Sequence, residues 1–346
     1  MATPTKHLAA IIAQKGTPLT LVERPTPQPG PKQLLIRVRA IAINPVDYYQ
    51  REWGSFIENF PSVTGYDMAG TVAATGSDLS PKTPKTGARV VAYGASFWHN
   101  AEPDYGAYQE YVLVDEELVA LLPDSYSFTE GSVFPMAART TWDGWVWTGI
   151  PQDVSEAPEK QALLVWGASS SMGAFAVQEG KLMGYSVYAT ASPRHHEYLK
   201  SLGATRVFDY SSETVAAQIV DTAKADGVTV PAGLHATGSQ QLALDVMGKL
   251  RGDAKSVKLG IVPIPEADLK VPDGVEWTFV VPPTDAEERK ERCRWIFTEW
   301  LQEKLAARQL VASPHIKVVE GGLKSANKAL DEWKAGVSAT KLVLEL

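Results

Sequence analysis

The chain has 346 residues, 45% hydrophobic and 21% charged, a soluble globular balance and more length than one hydrophobic core usually serves, so two domains are expected. A formal net charge of −7 without a long basic run excludes nucleic acid as the main partner. No apolar stretch reaches a membrane span, and the start (Met1-Ala-Thr-Pro-Thr-Lys-His7) lacks the apolar core of a signal peptide; with a single cysteine, Cys293, and hence no internal disulfide, a reducing, cytoplasmic setting is expected.

In chain order, residues 8–13 and 19–22 read as strands around the turn Lys15-Gly-Thr-Pro18. Pro25, Pro27, Pro29 and Pro31 forbid regular structure and predict a stiff connector. Residues 33–43 are strand-like, with partial alternation around Ile36, Val38 and Ala40; 71–75, 89–93 and 108–114 are further strands. Many short strands separated by turns predict a small barrel-like β domain. Residues 129–147 then turn helical.

The apolar run at 162–166 suits a buried parallel strand and is too short for a helix. After it comes Gly167-x-x-Ser170-x-x-Gly173, a nucleotide fingerprint whose middle glycine has become serine, and then a helical pattern ending at Gly184. Gly167 would permit the tight turn, and Gly173 a close approach of helix to strand. Backbone N–H groups from Ser169, Ser170, Ser171 and Met172 would face a pyrophosphate at the helix start, where the dipole favours negative charge. A structural turn is the alternative, but the placement after a strand and before a helix is the context a nucleotide site requires. Strands at 186–190, 207–209, 233–236, 256–262 and 277–281 alternate with helices at 195–202, 212–225 and 239–250, which predicts a doubly wound α/β domain. Residues 284–310 read as one charged amphipathic helix with a mainly solvated face, in which Cys293 is a structural thiol. Residues 317–319 and 341–346 read as closing strands that return to the first domain. No internal repeat is present.

The end of the second strand of the α/β domain, Tyr188 to His196, contains no acidic residue to bind the ribose hydroxyls of NAD. Ser192 offers a hydroxyl and Arg194 a fixed cation for a 2′-phosphate, so NADPH is the expected cofactor. The alternative is a helix N-cap at Ser192 with an exposed Arg194.

Several motifs occur together in order: Ile43-Asn-Pro-Val-Asp47, Gly65-Tyr-Asp-Met-Ala-Gly70, Gly106-Ala-Tyr-Gln-Glu-Tyr-Val112, the turn at 167–173, Gly203-Ala204 with Asp209-Tyr210, and Gly321-Gly322 with Lys341-Leu342. Over nearly its whole length the chain resembles the medium-chain dehydrogenase/reductase superfamily, in its zinc-free quinone oxidoreductase and fungal trans-enoyl reductase-like branch. The resemblance implies a GroES-like β-barrel domain at 1–130 and 311–346 and a Rossmann doubly wound parallel-sheet domain at 131–310, with nicotinamide and substrate in the cleft between them. It places Tyr210 at the adenosine phosphate and Thr140, beside an unusual Arg139, near the nicotinamide carboxamide, and it adds Lys341 to the cofactor-binding set. Zinc members of the superfamily carry cysteine at the position of Asn44 and histidine at that of Tyr66. With one cysteine, no catalytic zinc is expected. His195 and His196 are adjacent on an expected helix and cannot face one point, and His7, His99, His235 and His315 show no ligand spacing.

Without a metal, negative charge must be stabilised otherwise as hydride arrives. Reduction of an activated C=C bond suits this: the carbonyl takes up the charge as an enolate, which needs hydrogen-bond donors and a proton at the α carbon. Asn44 can donate from the cleft wall. Tyr48 and Tyr49 are each either a proton donor or enolate binder, or simple packing; Tyr49 is favoured, because relatives place a polar cleft residue there. Phe97, Trp98, Trp142, Trp145 and Trp147 either line a substrate pocket or belong to the core. The expected function is NADPH-dependent, zinc-independent reduction of a small-molecule or carrier-bound α,β-unsaturated carbonyl compound by a monomer or homodimer, with a fungal secondary-metabolite pathway suggested by resemblance alone. Quinone or ketone reduction in the same cleft, and a non-catalytic NADPH-binding scaffold, are the alternatives.

Overall fold

A computed structural model describes residues 3–152 and 159–346. The chain begins with β1 (Lys6–Ile11) and β2 (Thr20–Pro25), an antiparallel pair. Pro25 is the last residue of β2, where the missing N–H costs no ladder bond, so the irregular connector begins only after it. Strand β3 (Gln33–Ala42) is mostly buried. It is followed by α1 (Pro45–Trp53), a helix that sequence patterning did not suggest. Pro45 at its first position is pre-set for helix, and the Asp47 carboxylate accepts the Asn44 N–H at 2.8 Å. Then come β4 (Asp67–Thr75), β5 (Arg89–Tyr93), β6 (Tyr111–Asp115), β7 (Val119–Leu121), α2 (Phe128–Gly131) and α3 (Pro135–Thr148). The helical stretch expected at 129–147 is divided between these two helices, because Pro135 cannot donate to the preceding turn and starts a new one.

The next elements alternate: β8 (Gln161–Trp166), α4 (Ser171–Leu182), β9 (Ser186–Thr190), α5 (His196–Leu202), β10 (Arg206–Phe208), α6 (Val215–Asp226), β11 (Thr229–His235), α7 (Gln240–Leu250), β12 (Val257–Ile261) and β13 (Val275–Phe279). All these strands pair in parallel, in the order β10-β9-β8-β11-β12-β13. This is the doubly wound Rossmann arrangement, with its switch point between β8 and β11. Leu164, Trp166, Ile219, Met247, Leu259 and Ile261 form part of its core, each aliphatic side chain contributing roughly 1.5–3 kcal/mol on burial.

The chain closes with α8 (Ala286–Arg294), a π-helical segment (Trp295–Leu301), α9 (Gln302–Ala306), β14 (His315–Val318), α10 (Ala326–Ala335) and β15 (Thr340–Glu345). Strand β15 pairs antiparallel with β3, which also pairs with β4 and β6, in a sheet ordered β14-β15-β3-β4-β5-β7. Two compact units result: residues up to Met136 with Asp285–Leu346, and Ala137–Thr284. Sequence reading placed 131–310 in the nucleotide domain, whereas Asp285–Leu310 packs with the β domain. The helical stretch there is amphipathic as expected, most of it exposed, and its apolar side is packed: Cys293, Ile296, Phe297, Trp300, Leu301 and Leu305 are buried, the Phe297 and Tyr93 rings lie 6.4 Å apart, and Gln302 Oε1 accepts the Leu121 N–H at 3.1 Å. Among the described residues, no helix is long and apolar enough to cross a membrane.

Candidate active site

In the Ala137–Thr284 unit, the chain leaves β8 through Gly167 at φ +75°, where a Cβ would lie 2.7 Å from the Thr237 carbonyl oxygen. Gly173 sits in the first turn of α4, and a Cβ there would lie 2.5 Å from the Gly167 oxygen. The turn is fixed from both sides: Thr190 Oγ1 accepts the Gly167 N–H at 2.9 Å, and the Ser170 hydroxyl donates to the Gly167 carbonyl at 2.9 Å and accepts the Gly173 N–H at 3.1 Å. Ser170 is therefore the N-cap of α4. Ser169, Ser171 and Met172 flank it, partly buried, and Ser171 Oγ is buried with no hydrogen-bond partner among the described residues. A glycine cradle that a Cβ would fill, opening a helix N-terminus beside an unsatisfied hydroxyl, fits a dinucleotide pyrophosphate.

Beyond β9, Ser192 begins a short 3₁₀ turn and Arg194 is exposed. The Ser192 and Tyr210 hydroxyls lie 3.1 Å apart, because parallel pairing of β9 with β10 brings their following loops together. Arg194 Nε donates to His195 Nε2 at 3.2 Å. Ser192 makes no side-chain cap bond, leaving its hydroxyl on Tyr210 rather than on the helix. Asp209, next to Tyr210, is turned onto Ser211, whose N–H and hydroxyl it accepts at 2.9 and 2.7 Å. These bonds hold its carboxyl below the usual carboxylate range.

On α3, Arg139 pairs with Asp143 at 2.5 Å and donates to Thr140 Oγ1 at 3.3 Å. The unusual arginine is thus a buried partner of its own helix. Trp142 and Trp145 are fully buried core residues, while Trp147 is partly buried under Lys258. Trp145 Nε1 donates to Glu179 at 3.0 Å, and burial pushes that carboxyl well above its ordinary range.

The β domain carries a buried polar cluster that sequence reading did not assemble. Sheet register builds it: Ala42 of β3 pairs with Asp67 of β4 and with Val343 of β15, and Ile43 N–H donates to the Leu342 carbonyl at 2.9 Å. Asn44, Asp67 and Lys341 therefore meet. Lys341 Nζ donates to Asn44 Oδ1 at 2.6 Å and lies 3.2 Å from Asp67 Oδ2. Asn44 Nδ2 donates to the same Asp67 oxygen at 2.9 Å, and Asp67 Oδ1 accepts the Met136 N–H at 2.6 Å. Next to them, Asp47 Oδ2 accepts the Asn44 N–H and, at 3.1 Å, the Tyr108 hydroxyl. Burial pushes the Asp47 carboxyl up to about 7 against these bonds and the Lys341 charge. The available signal was Asp67 heading the otherwise mainly apolar stretch 68–74, a carboxylate that burial obliges to find partners.

Tyr48 and Tyr49 both lie on α1, in different settings. Tyr48 is buried against Trp333, with Arg51 and Lys334 each 5.4 Å from its ring centre. Tyr49 is partly buried and stacks at 5.0 Å on the exposed Trp53. Burial, with Tyr48 second, raises the Tyr49 phenol above its ordinary value. Phe97 is exposed, in edge contact with Phe56 at 5.7 Å, and Trp98 stands 5.4 Å from Tyr93.

At the position where zinc members carry a metal, the donors do not fit one. Asn44 Oδ1 faces an ammonium, which would repel a second cation, and the Tyr66 hydroxyl accepts from Gln50 at 2.7 Å. Among the described residues, no three His, Cys, Asp or Glu side chains gather to hold a metal ion. The histidines are dispersed: His7 binds Gln109 at 2.9 Å, His99 binds Asp115 at 2.8 Å, and His235 is buried on β11, its pKa lowered to about 4 by burial.

Comparison with known proteins agrees with this architecture. The alcohol dehydrogenase GroES-like domain matches residues 30–124. The chain is 43% identical over 344 residues to the trans-enoyl reductase tndF of Aspergillus flavipes, covering 99% of each. It is 45% identical over 284 residues to the trans-enoyl reductase tazE of Aspergillus terreus, covering 81% of this chain and 93% of that one. Among solved structures, the quinone oxidoreductase of Coxiella burnetii shares the fold at a TM-score of 0.71 and 23% identity, covering 99% of each chain. With a doubly wound nucleotide unit inserted into a GroES-like β domain, and relatives this similar along its whole length, the chain belongs to the medium-chain dehydrogenase/reductase superfamily, oxidoreductases that use a nicotinamide cofactor.

Proposed function

We propose that the protein is an NADPH-dependent, zinc-independent reductase of activated C=C bonds, acting on an enone or enoyl thioester in fungal secondary metabolism. The observation that carries the reading is the Gly167–Gly173 turn, a cradle with no space for side chains opening on a helix N-terminus. The choice of reaction is supported by the trans-enoyl reductases at 43% and 45% identity. NADPH, when bound, supplies the hydride. The start of α4 binds the pyrophosphate, and Ser192, Arg194 and Tyr210 hold the 2′-phosphate, with Asp209 turned away onto Ser211. Thr140 orients the nicotinamide carboxamide.

Hydride addition at the β carbon leaves negative charge on the carbonyl oxygen, and the α carbon must then take a proton. The proton is assigned to the Tyr49 phenol, supported by its partial burial beside the buried Tyr48. A metal ion has no part, since Asn44 and Tyr66 are committed to Lys341 and Gln50. The single buried thiol suits a reducing cytoplasm.

The test is NADPH oxidation against a panel of enones, enoyl thioesters, quinones and ketones, with product analysis and with and without a chelator. Saturated products from enones or thioesters, unaffected by chelation, are expected. Turnover of quinones or ketones alone, or NADPH binding with no turnover, would replace the reading by one of those alternatives.

A further inference from the structure

Helix α1 ends at its cap Gly54, and the chain turns back with the Ile57 N–H on the Gly54 carbonyl at 3.1 Å. The third residue of this turn, Phe56, has φ +61°, at a place that favours glycine or asparagine. Beside it, the 3₁₀ turn Ser96–His99 runs into Asn100 at φ +53° and Ala101 at φ +61°. Six non-glycine residues among those described have left-handed backbone, and three of the six border one cavity. Such backbone persists only where its surroundings impose it, and it gathers at ligand sites. Two hydrogen bonds tie the loops together: Asn59 Nδ2 donates to the Asn100 carbonyl at 3.1 Å, and the Ser62 hydroxyl to the Ala101 carbonyl at 3.0 Å. His99 Nε2, 2.8 Å from Asp115 Oδ2, anchors the second loop to β6. The loops thus enclose a preformed cavity of about 290 Å³, lined by Phe56, Ile57, Glu58, Phe97, Asn100 and Ala101, near the lower end of small-molecule sites. Phe56 is 48% and Phe97 45% exposed, with their rings in edge contact at 5.7 Å.

We propose that this cavity is a specificity-determining subsite that takes an uncharged apolar group, alkyl or aryl, at the far end of the unsaturated substrate. The inference rests on the reductase reading above. Its place in the chain suits the task. Trp53 follows Tyr49 by one helical turn and stacks on it at 5.0 Å. Phe56 comes three residues later, so the Cα atoms of Tyr49 and Phe56 lie within about 16 Å of one another. A carbonyl beside Tyr49 therefore reaches the cavity through a tail, and the exposed Trp53, between them in the chain, offers that tail apolar surface. The walls set the class of ligand. Phe56, Ile57, Phe97 and Ala101 favour methylene groups or the edge of a ring. Glu58, exposed at the rim, repels an anionic tail end, and among the described residues no cation lines the cavity to offset it. Burial so far from the reacting bond acts alike on ground and transition states, so it raises kcat/KM through KM.

The test compares kcat/KM for N-acetylcysteamine thioesters of straight-chain trans-2-enoic acids, from crotonyl to dodecenoyl, in the wild type, Phe56→Ala and Phe97→Ala. In the wild type the value should rise roughly two- to fourfold per added methylene once the tail reaches the cavity, and level off when the cavity is full. Either alanine variant should lower the ratio of the dodecenoyl value to the crotonyl value about tenfold. A ratio within one preparation does not depend on the fraction folded. Glu58→Gln should raise kcat/KM for the ω-carboxy dodecenoyl thioester severalfold relative to the uncharged one. Separately, binding of the neutral fluorescent probe N-phenyl-1-naphthylamine, displaced by decanol, reads the cavity without turnover and should weaken in both alanine variants. An unchanged ratio in both variants overturns the proposal. Probe binding lost with no change in the ratio would give the cavity to a separate apolar ligand, and overturns it equally. Should the wild type reduce no enoyl thioester, the reductase reading fails, while the probe still decides for or against an apolar site at Phe56 and Phe97.

Discussion

The Ser170 hydroxyl bonds back to the Gly167 carbonyl at 2.9 Å while capping Gly173 N–H at 3.1 Å. A residue that departs from the three-glycine fingerprint therefore ties the turn closed. Ser170→Ala should lower unfolding stability by about 1 kcal/mol, and Ser170→Gly by only a few tenths. Gly167→Ala should cost more than either, because left-handed backbone is combined with a Cβ 2.7 Å from Thr237 O. Chemical denaturation of the three variants checks the ranking; a neutral Ser170→Ala would show that the hydroxyl does not hold the turn.

Arg194→Ala should weaken NADPH by about 1.5–3 kcal/mol through loss of a charge-assisted contact, with NADH binding little changed. Tyr210→Phe should have a smaller effect in the same direction, since Ser192 keeps its hydroxyl. Titrations with the two cofactors measure both. An unchanged preference in Arg194→Ala would return that side chain to the solvated surface.

Tyr49→Phe should lower turnover roughly 10²–10⁴-fold if proton transfer limits the rate, with NADPH affinity retained. Tyr48→Phe should act mainly on stability, because its ring is enclosed by Trp333, Arg51 and Lys334. Steady-state rates beside melting curves separate the two. Full activity in both would assign the proton to water.

Asp47 gives the β domain a signed pH dependence. Its carboxyl is raised from 3.8 to about 7 in the folded protein, so between these values the native state holds a proton that the unfolded state has released. The stabilisation is complete below the unfolded value, falls as pH rises towards 7 by up to about 1.4 kcal/mol per unit, and levels off above. Asp47→Asn cannot ionise and should lack this component. Relative to wild type, the variant should gain stability between about pH 4.5 and about pH 7.5; a constant difference would show that Asp47 does not titrate there.

The α/β unit was legible in sequence because its strands are short, mainly apolar runs bounded by turn residues, with the glycine turn falling between β8 and α4. Helix α1 was not: Pro45-Val-Asp-Tyr-Tyr-Gln-Arg-Glu-Trp53 carries no long apolar period, and its N-terminus is set by one carboxylate reaching back to Asn44. The solvated face of the 284–310 stretch was legible from its frequent charges, whereas the unit it packs with was not, since the buried Phe297, Trp300 and Leu301 lie on a π-helical turn that shifts the usual spacing. The tryptophans of α3 showed their size but not their side, and Trp142 and Trp145 proved to be core. The Asn44, Asp67 and Lys341 cluster was hidden because β-sheet register, not local pattern, makes these residues neighbours.

Asn44 and Lys341 touch across 297 positions of chain, which sets an order on biosynthesis. A ribosome that has completed α9 has already synthesised Tyr48, Tyr49, the glycine turn and every strand of the nucleotide unit, yet Asp67 still awaits its counter-charge. The β domain cannot seal around that carboxylate until β15 emerges and lies beside β3, so the nucleotide unit is free to fold first and the polar cluster assembles late. Nascent chains, and chains that have lost β15, therefore carry the Asp67 carboxylate without its counter-charge.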